Sequence, residues 1–246
     1  KLYNSNNVFE HCKVMYADAG VYVYNSSPTI RNNEISQCNT SGIYYQSSNS
    51  SSLPIYTPLI DGNQITDCGV GIKLNADYYS GTSHSFLNPV IQNNEITGSD
   101  YPYYFIGTSF PTFSNNTYSG LTYPTIKVKG YMGRSGTWVN DNDFPYLIEG
   151  SFNIGNSSDI NDTLHIPAGT VVKFYNSDDY INSYGILNSL GTEANPVIFT
   201  SYKDDLNGGD SNGDGSQTQP SANDWGYIKL YNSNNVFEHC KVMYAD

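Results

Sequence analysis

The sequence predicts an all-β chain wound as a β-solenoid, and three observations carry that prediction. A short template, Pro-x-apolar-x-Asn/Gly-Asn-x-apolar, recurs at Pro28–Ile35, Pro58–Ile65, Pro89–Ile96 and Pro111–Tyr118, with steps of 30, 31 and 22 residues. The eighteen residues KLYNSNNVFEHCKVMYAD occur as Lys1–Asp18 and return unchanged as Lys229–Asp246, an offset of 228. No long stretch carries helical periodicity. Short apolar runs divided by Asn, Gly and Pro turns at a coil-sized spacing are the sequence image of a stack of β-coils.

Taken in order, Asn6-Asn7-Val8-Phe9 reads as a weaker first member of the template. Between the templates lie Gly20–Val23, Gly42–Tyr45, Gly71–Leu74, Tyr103–Ile106 and, later, Gly226–Leu230, each a short apolar strand. The second half predicts strands over Thr125–Met132, Thr137–Asn140, Tyr146–Ile154, Leu164–Tyr175, Ile181–Leu190 and Pro196–Tyr202. One marker per coil (Val21, Ile43, Ile72, Tyr104, Ile126, Phe152, Val172, Ile228) gives eight coils per 228-residue period. At the spacing of β-strands that is an advance of about 38 Å per period. The longest step holds an acidic, Gly-rich insertion at residues 203–224.

The duplication includes polar positions such as Asn4, Ser5 and Asn6, which folding alone would let drift. Residues 1–246 are therefore expected to be one continuous β-helix window, a full period plus the first eighteen residues of the next copy, open at both ends. Repeat architectures bury their faces against neighbours, so the expected partners are further copies of the same period, covalent or stacked.

Composition narrows the function classes. The net charge of −12 argues against nucleic acid and anionic membrane surfaces. No apolar run is long enough to span a bilayer. Asn, Ser, Thr and Tyr in place of Lys suggest an extracellular or cell-surface protein. Cys240 is Cys12 in its next copy, leaving Cys12, Cys38 and Cys68 in each period. An odd number does not close into disulfides within a period.

The coils resemble right-handed parallel β-helix repeats of the pectin-lyase-like kind. Leu164–Phe174, Gly185-Ile-Leu, Asn195–Thr200, the acidic Gly loop and Trp225-Gly-Tyr-Ile resemble large surface proteins of bacteria and archaea. The resemblance implies a single-stranded, right-handed parallel β-helix and a cell-surface setting, and leaves activity open.

Several constellations follow. Phe9-x-x-Cys12, Ile35-x-x-Cys38 and Ile65-x-x-Cys68 place a thiol three residues after an apolar position, which predicts a ladder of small buried side chains. Asn33, Asn63, Asn94 and Asn116 share a template position, which predicts amides bonded from coil to coil. Asp210-x-Asn212-x-Asp214-Gly215-Ser216 matches the opening of a calcium loop and resembles EF-hand and dockerin-type loops. Alternating oxygens on a tight turn converge on one hard cation, with Ser216 offering a carbonyl and Asp204, Asp205 or Asp224 completing the sphere. The expected ion is a structural Ca²⁺.

Tyr22 and Tyr24, Tyr44 and Tyr45, and Tyr103 and Tyr104 could send one ring of each pair outward as a sugar-binding stripe, or stack simply to stabilise the coils. Catalysis finds little support. Arg31 and Arg134 fall in different coils, His11, His84 and His165 are scattered, and Asp178-Asp179 and Asp204-Asp205 read as solvated pairs. The expected function is a stiff extracellular filament, stalk, sheath or adhesin shaft. A calcium-dependent polysaccharide-binding module is the alternative, and a polysaccharide lyase or hydrolase the weaker one.

Overall fold

The computed structural model describes residues 1–3, 7–47, 54–76, 86–156 and 160–246. Asn4–Asn6 of the first repeat copy and His84 lie outside them. The described residues contain no helix, and their paired strands run parallel throughout. Two compact units divide the chain, Lys1–Pro124 and Thr125–Asp246.

The first unit stacks three columns of parallel strands. One holds Val8–Glu10, Thr29–Arg31, Leu59–Asp61, Val90–Gln92 and Thr112–Ser114. The second holds Lys13–Met15, Glu34–Ser36, Gln64–Thr66, Glu95–Thr97 and Thr117–Ser119. Ala19–Tyr24, Ser41–Gln46, Val70–Ala76 and Tyr101–Gly107 form the third. Each template is thus two strands and the corner between them. Its apolar positions are the core: Ile30, Ile60, Ile91, Ile35, Ile65 and Ile96 are all buried. The first corner residue has a positive φ, +54° at Asn32, +65° at Gly62, +54° at Asn93 and +54° at Asn115. Asn and Gly enter that region most readily, which explains the Asn/Gly alternation in the template.

The repeat copy at Lys1–Asp18 sits one strand away from the expected alignment. Phe9 pairs with Ile30 and Val14 with Ile35, so the corner between these two columns is His11-Cys12, with His11 at φ +52°; Asn6 of the expected corner lies outside the described residues. A positive φ specifies the corner, and His tolerates it. The marker Tyr104 is also displaced: Ile72 pairs with Tyr103, and Tyr104 faces Lys73. A one-residue slip exchanges the two faces of a strand. The run Tyr103–Ile106 is buried throughout, so no polar alternation marks its register.

In the second unit the coils open progressively at one corner. Ile126–Met132 and Tyr146–Ile154 pair along their length, with a register shift between Val128 and Gly130. Gly130 and Gly150 adopt φ of +94° and +97° there. The next coil breaks at the same place: Tyr146–Ile148 pairs with Val172–Phe174, and Ser151–Ile154 with Tyr180–Ser183. One coil further on, the gap between Val197–Ser201 and Ile228–Leu230 carries the whole acidic insertion. The markers Phe152 and Ile228 therefore belong to a different column from Ile126 and Val172. Two expected strands are also divided. Leu164–Tyr175 splits at Gly169, where φ is +80°, and Ile181–Leu190 splits at Tyr184-Gly185.

Glycines set the approach of neighbouring coils in the first unit. A Cβ on Gly42 would lie 2.5 Å from Ile65 Cγ2 and 2.9 Å from the Gly71 carbonyl oxygen. Overpacking of this kind costs about 1–3 kcal/mol. Gly42→Ala is therefore expected to lower stability by that amount in denaturant titration, and an unchanged midpoint would mean that the coils yield more easily than this spacing allows.

Candidate functional site

The corner asparagines form a continuous polar ladder inside the apolar core. Asn63 is buried and uses its whole amide. Its Oδ1 accepts from the Asn33 backbone N–H and from Asn33 Nδ2, at 3.2 and 2.8 Å. Its Nδ2 donates to the Ile30 carbonyl at 3.0 Å and to Asn94 Oδ1 at 2.9 Å. Asn94 repeats the pattern towards Asn116, both bonds at 3.0 Å, and Asn116 Nδ2 donates to the Ile91 carbonyl.

Cys12 belongs to this ladder and not to the thiol column: its backbone N–H donates to Asn33 Oδ1 at 3.0 Å. The strand register puts it there, since Lys13 pairs with Glu34. Cys38 and Cys68 are buried in a column of their own, which Ser99 continues by accepting from the Cys68 N–H. Each thiol points at a carbonyl two residues back, Ser36 and Thr66. Burial, with Cys38 beside it, pushes the Cys68 thiol up to about 12. All four cysteines are free.

The tyrosines divide by face. Tyr45 and Tyr103 are buried. Tyr22, Tyr44, Lys73 and Tyr104 share the opposite face in one row, with Tyr22 and Tyr44 half-buried and Tyr104 buried. Within it the Lys73 ammonium lies 5.1 Å from the centres of both Tyr44 and Tyr104, and Lys1 lies 4.8 Å from Tyr22. Tyr22 and Tyr44 meet edge to face at 5.2 Å. The rings engage one another and lysines, as stabilising rows do.

The acidic insertion is fastened at its base. Lys203 pairs with Asp224 at 2.7 Å, and Ser201 and Ser221 hydroxyls donate to the same carboxylate. Trp225 is buried, stacks on Phe174 at 3.9 Å and donates its indole N–H to the Met243 carbonyl. Asp204 is buried and accepts from Thr200, Asn207 and the Leu206 N–H. Asp204 and Asp224 are thus engaged in holding the loop.

Above that base, carboxylate oxygens of Asp205, Asp210 and Asp214 lie within 4.8 Å of one another. Asp210 accepts from the Asp214 and Gly215 N–H groups. Thr218's hydroxyl, with the N–H groups of Gln217, Thr218 and Ser216, holds the Asp214 carboxyl below its usual range. Both Asp205 oxygens are out of solvent with no hydrogen-bond donor. Buried carboxylate oxygens are costly without a partner, and a cation among these three groups would supply one. Asn212 turns its Nδ2 to Asp214 and Thr218, and its Oδ1 faces the Asp214 N–H at 3.4 Å. Ser216 donates its N–H to Asp214 and sits at φ +78°.

Sequence reasoning missed Lys173. Its side chain is fully buried, and its ammonium donates to the Asp204 and Gly209 carbonyls at 2.8 and 2.7 Å. Burial lowers its pKa to about 8, against the pull of Asp204, Asp205 and Asp210. The available signal was a lysine between Val172 and Phe174 in a strand adjoining an acidic insertion. Among the residues weighed for catalysis, Asp179 is buried and accepts from the Gly150 and Asn176 N–H groups. Arg31 pairs with Glu10 at 2.5 Å.

Residues 2–84 match the family model described as the right handed beta helix region. No curated protein and no solved structure matches the chain. The matched stretch contains Asn33 and Asn63, whose amides bridge successive coils. Asn63→Ala strands the Asn33 N–H in the core, removes the acceptor of Asn33 Nδ2 and breaks the chain of amides, and is expected to cost on the order of 3 kcal/mol. Asn32→Gly, at the positive-φ corner, is expected to stay within about 1 kcal/mol of the parent. Chemical denaturation of both variants checks the contrast.

Proposed function

We propose that this chain is a structural segment of a tandem-repeat β-solenoid, an extracellular filament, stalk, sheath or adhesin shaft built by continuation of the 228-residue period. The observation that carries the reading is the behaviour of the repeated stretch. Its two copies turn at the same residues among those described: φ is +52° at His11 and +46° at His239, +57° at Tyr16 and +65° at Tyr244. One copy packs in the first unit and the other in the second, so the stretch serves as a coil in two different surroundings. The buried amide ladder adds stiffness, because each rung is bonded to its neighbours. Support for a non-catalytic role comes from the engagement of Asp179, Asp204 and Arg31 in structural bonds. The engagement of the tyrosine row with itself and with Lys1 and Lys73 favours the shaft over a sugar-binding face.

Cryo-electron microscopy of the protein is expected to show filaments with a layer spacing near 4.8 Å and an axial period of about 38 Å. Discrete particles at all concentrations would rule against the array.

The insertion takes a structural calcium ion in this reading, held by Asp205, Asp210 and Asp214. Three carboxylates and a Gly-rich turn suit a hard, oxygen-seeking ion, and the donor-free oxygens of Asp205 favour it. Calorimetry at millimolar Ca²⁺ is expected to show one binding event that Asp205→Asn abolishes. No heat at that concentration would exclude the ion.

A further inference from the structure

We infer that the eighteen-residue repeat is a two-sided joint, and that a second copy of this chain docks through it by replacing one copy of the repeat with the identical other. This rests on the array reading and names its contact.

The two copies use opposite backbone edges. In Lys1–Asp18 the bonds run to the coil that follows. Leu2 donates to the Tyr22 carbonyl and accepts from the Tyr24 N–H, and the Asn7 and Cys12 carbonyls accept from the Thr29 and Glu34 N–H groups, all at 2.8–2.9 Å. In Lys229–Asp246 the bonds run to the coil that precedes. The Tyr231 and Met243 N–H groups donate to the Ser183 and Phe199 carbonyls, and the Glu238 and His239 carbonyls accept from the Gly191 and Val197 N–H groups. Moved back by 228 residues, the second set is Tyr3, Met15, Glu10 and His11. It shares no member with Leu2, Asn7 and Cys12. Backbone groups on a strand point alternately to either side, so one copy can hold both neighbours. The one group used in both copies is the carbonyl of Ala17, which accepts from the Asn39 N–H and, as Ala245, from the Asn223 N–H, and a carbonyl oxygen has two lone pairs to offer.

Side chains agree. Leu230 and Val242 are 45% and 52% exposed. Their equivalents, Leu2 and Val14, pair with Val23 and Ile35 in the coil that follows. On the other side Leu230 pairs with Ser183 and Val242 with Phe199. Shared by two chains, the joint therefore runs Phe199, Val14, Ile35 through one apolar column. The amide logic also carries over: Asn235, the equivalent of Asn7, accepts from the Leu187 N–H and the Ser183 hydroxyl of the coil that precedes. Because the incoming and displaced segments have the same sequence, pairings lost within a chain are regained between chains, as in domain swapping. The tethered copy holds the advantage of effective concentration, so exchange grows with protein concentration or when that copy is weakened.

The test is disulfide trapping in the full chain. Val197 pairs with Cys240, whose equivalent is Cys12. In V197C/C240S, a disulfide from the thiol introduced at position 197 of one chain to Cys12 of another is expected, rising with concentration. Adding F237D, which removes the Phe237 contact to Phe199 and leaves Phe9 intact, is expected to raise the bridged fraction roughly tenfold, equivalent to about 1.4 kcal/mol. V197C alone should close a bridge to Cys240 within one chain, verifying the fold and the geometry. Buried Cys38 and Cys68 provide an internal check, remaining unlabelled by iodoacetamide in every variant. Absence of interchain bridges to Cys12 up to millimolar concentration in both double and triple variants overturns the joint. Filaments that form without them would leave the array reading intact with a different contact. Bridged oligomers without filaments would keep the joint and remove the array.

Discussion

A side-chain amide that must satisfy two coils at once is the constraint on which the first unit depends. Asn63 bonds to Asn33 and Ile30 on one side and to Asn94 on the other. A buried amide left partly bonded costs more than the bonds it retains contribute, so coil separation and corner register are fixed together. With the corners fixed, Ile30, Ile60 and Ile91 fall in one column, and Ile35, Ile65 and Ile96 in another. The apolar core then follows from the polar ladder, and the positive-φ residue before each Asn follows from the need to turn the chain there.

Much of this was legible because letters and geometry coincide in the template. Asn33, Asn63, Asn94 and Asn116 read directly as a ladder. The first coil did not read so clearly, because His11-Cys12 fills the corner with neither an Asn nor a Gly. Both Phe9 and Val14 are apolar, so Phe9 could be assigned to either column, and the thiol count drew it to the wrong one. Tyr103 and Tyr104 were ambiguous for a related reason: a strand buried on both faces has no alternation to anchor it.

The acidic insertion shows a different limit. Its Asp-x-Asn-x-Asp-Gly spacing identifies the turn, and the structure gathers Asp205, Asp210 and Asp214 there. Spacing carries no information about Lys173, which reaches the loop from another coil and lies 31 residues from Asp204. Nor does it distinguish Asp204, engaged with Thr200, from Asp205, whose oxygens lack donors. Adjacent carboxylates acquire opposite roles from alternation on the chain: one turns into the base of the loop and the other towards its acidic centre.

The corner that opens from a glycine bulge at Gly130 and Gly150, to the turn at Tyr175–Asp179, to the insertion before Trp225, has a consequence for how such a chain can change. Added length enters between strands at a place where pairing has already relaxed, and Trp225 and Asp224 close the gap behind it. Sequence can therefore be gained or exchanged at this port without altering strand register. In a periodic chain each such graft would recur every 228 residues, making the spacing between displayed loops a property of the scaffold and their chemistry a free variable.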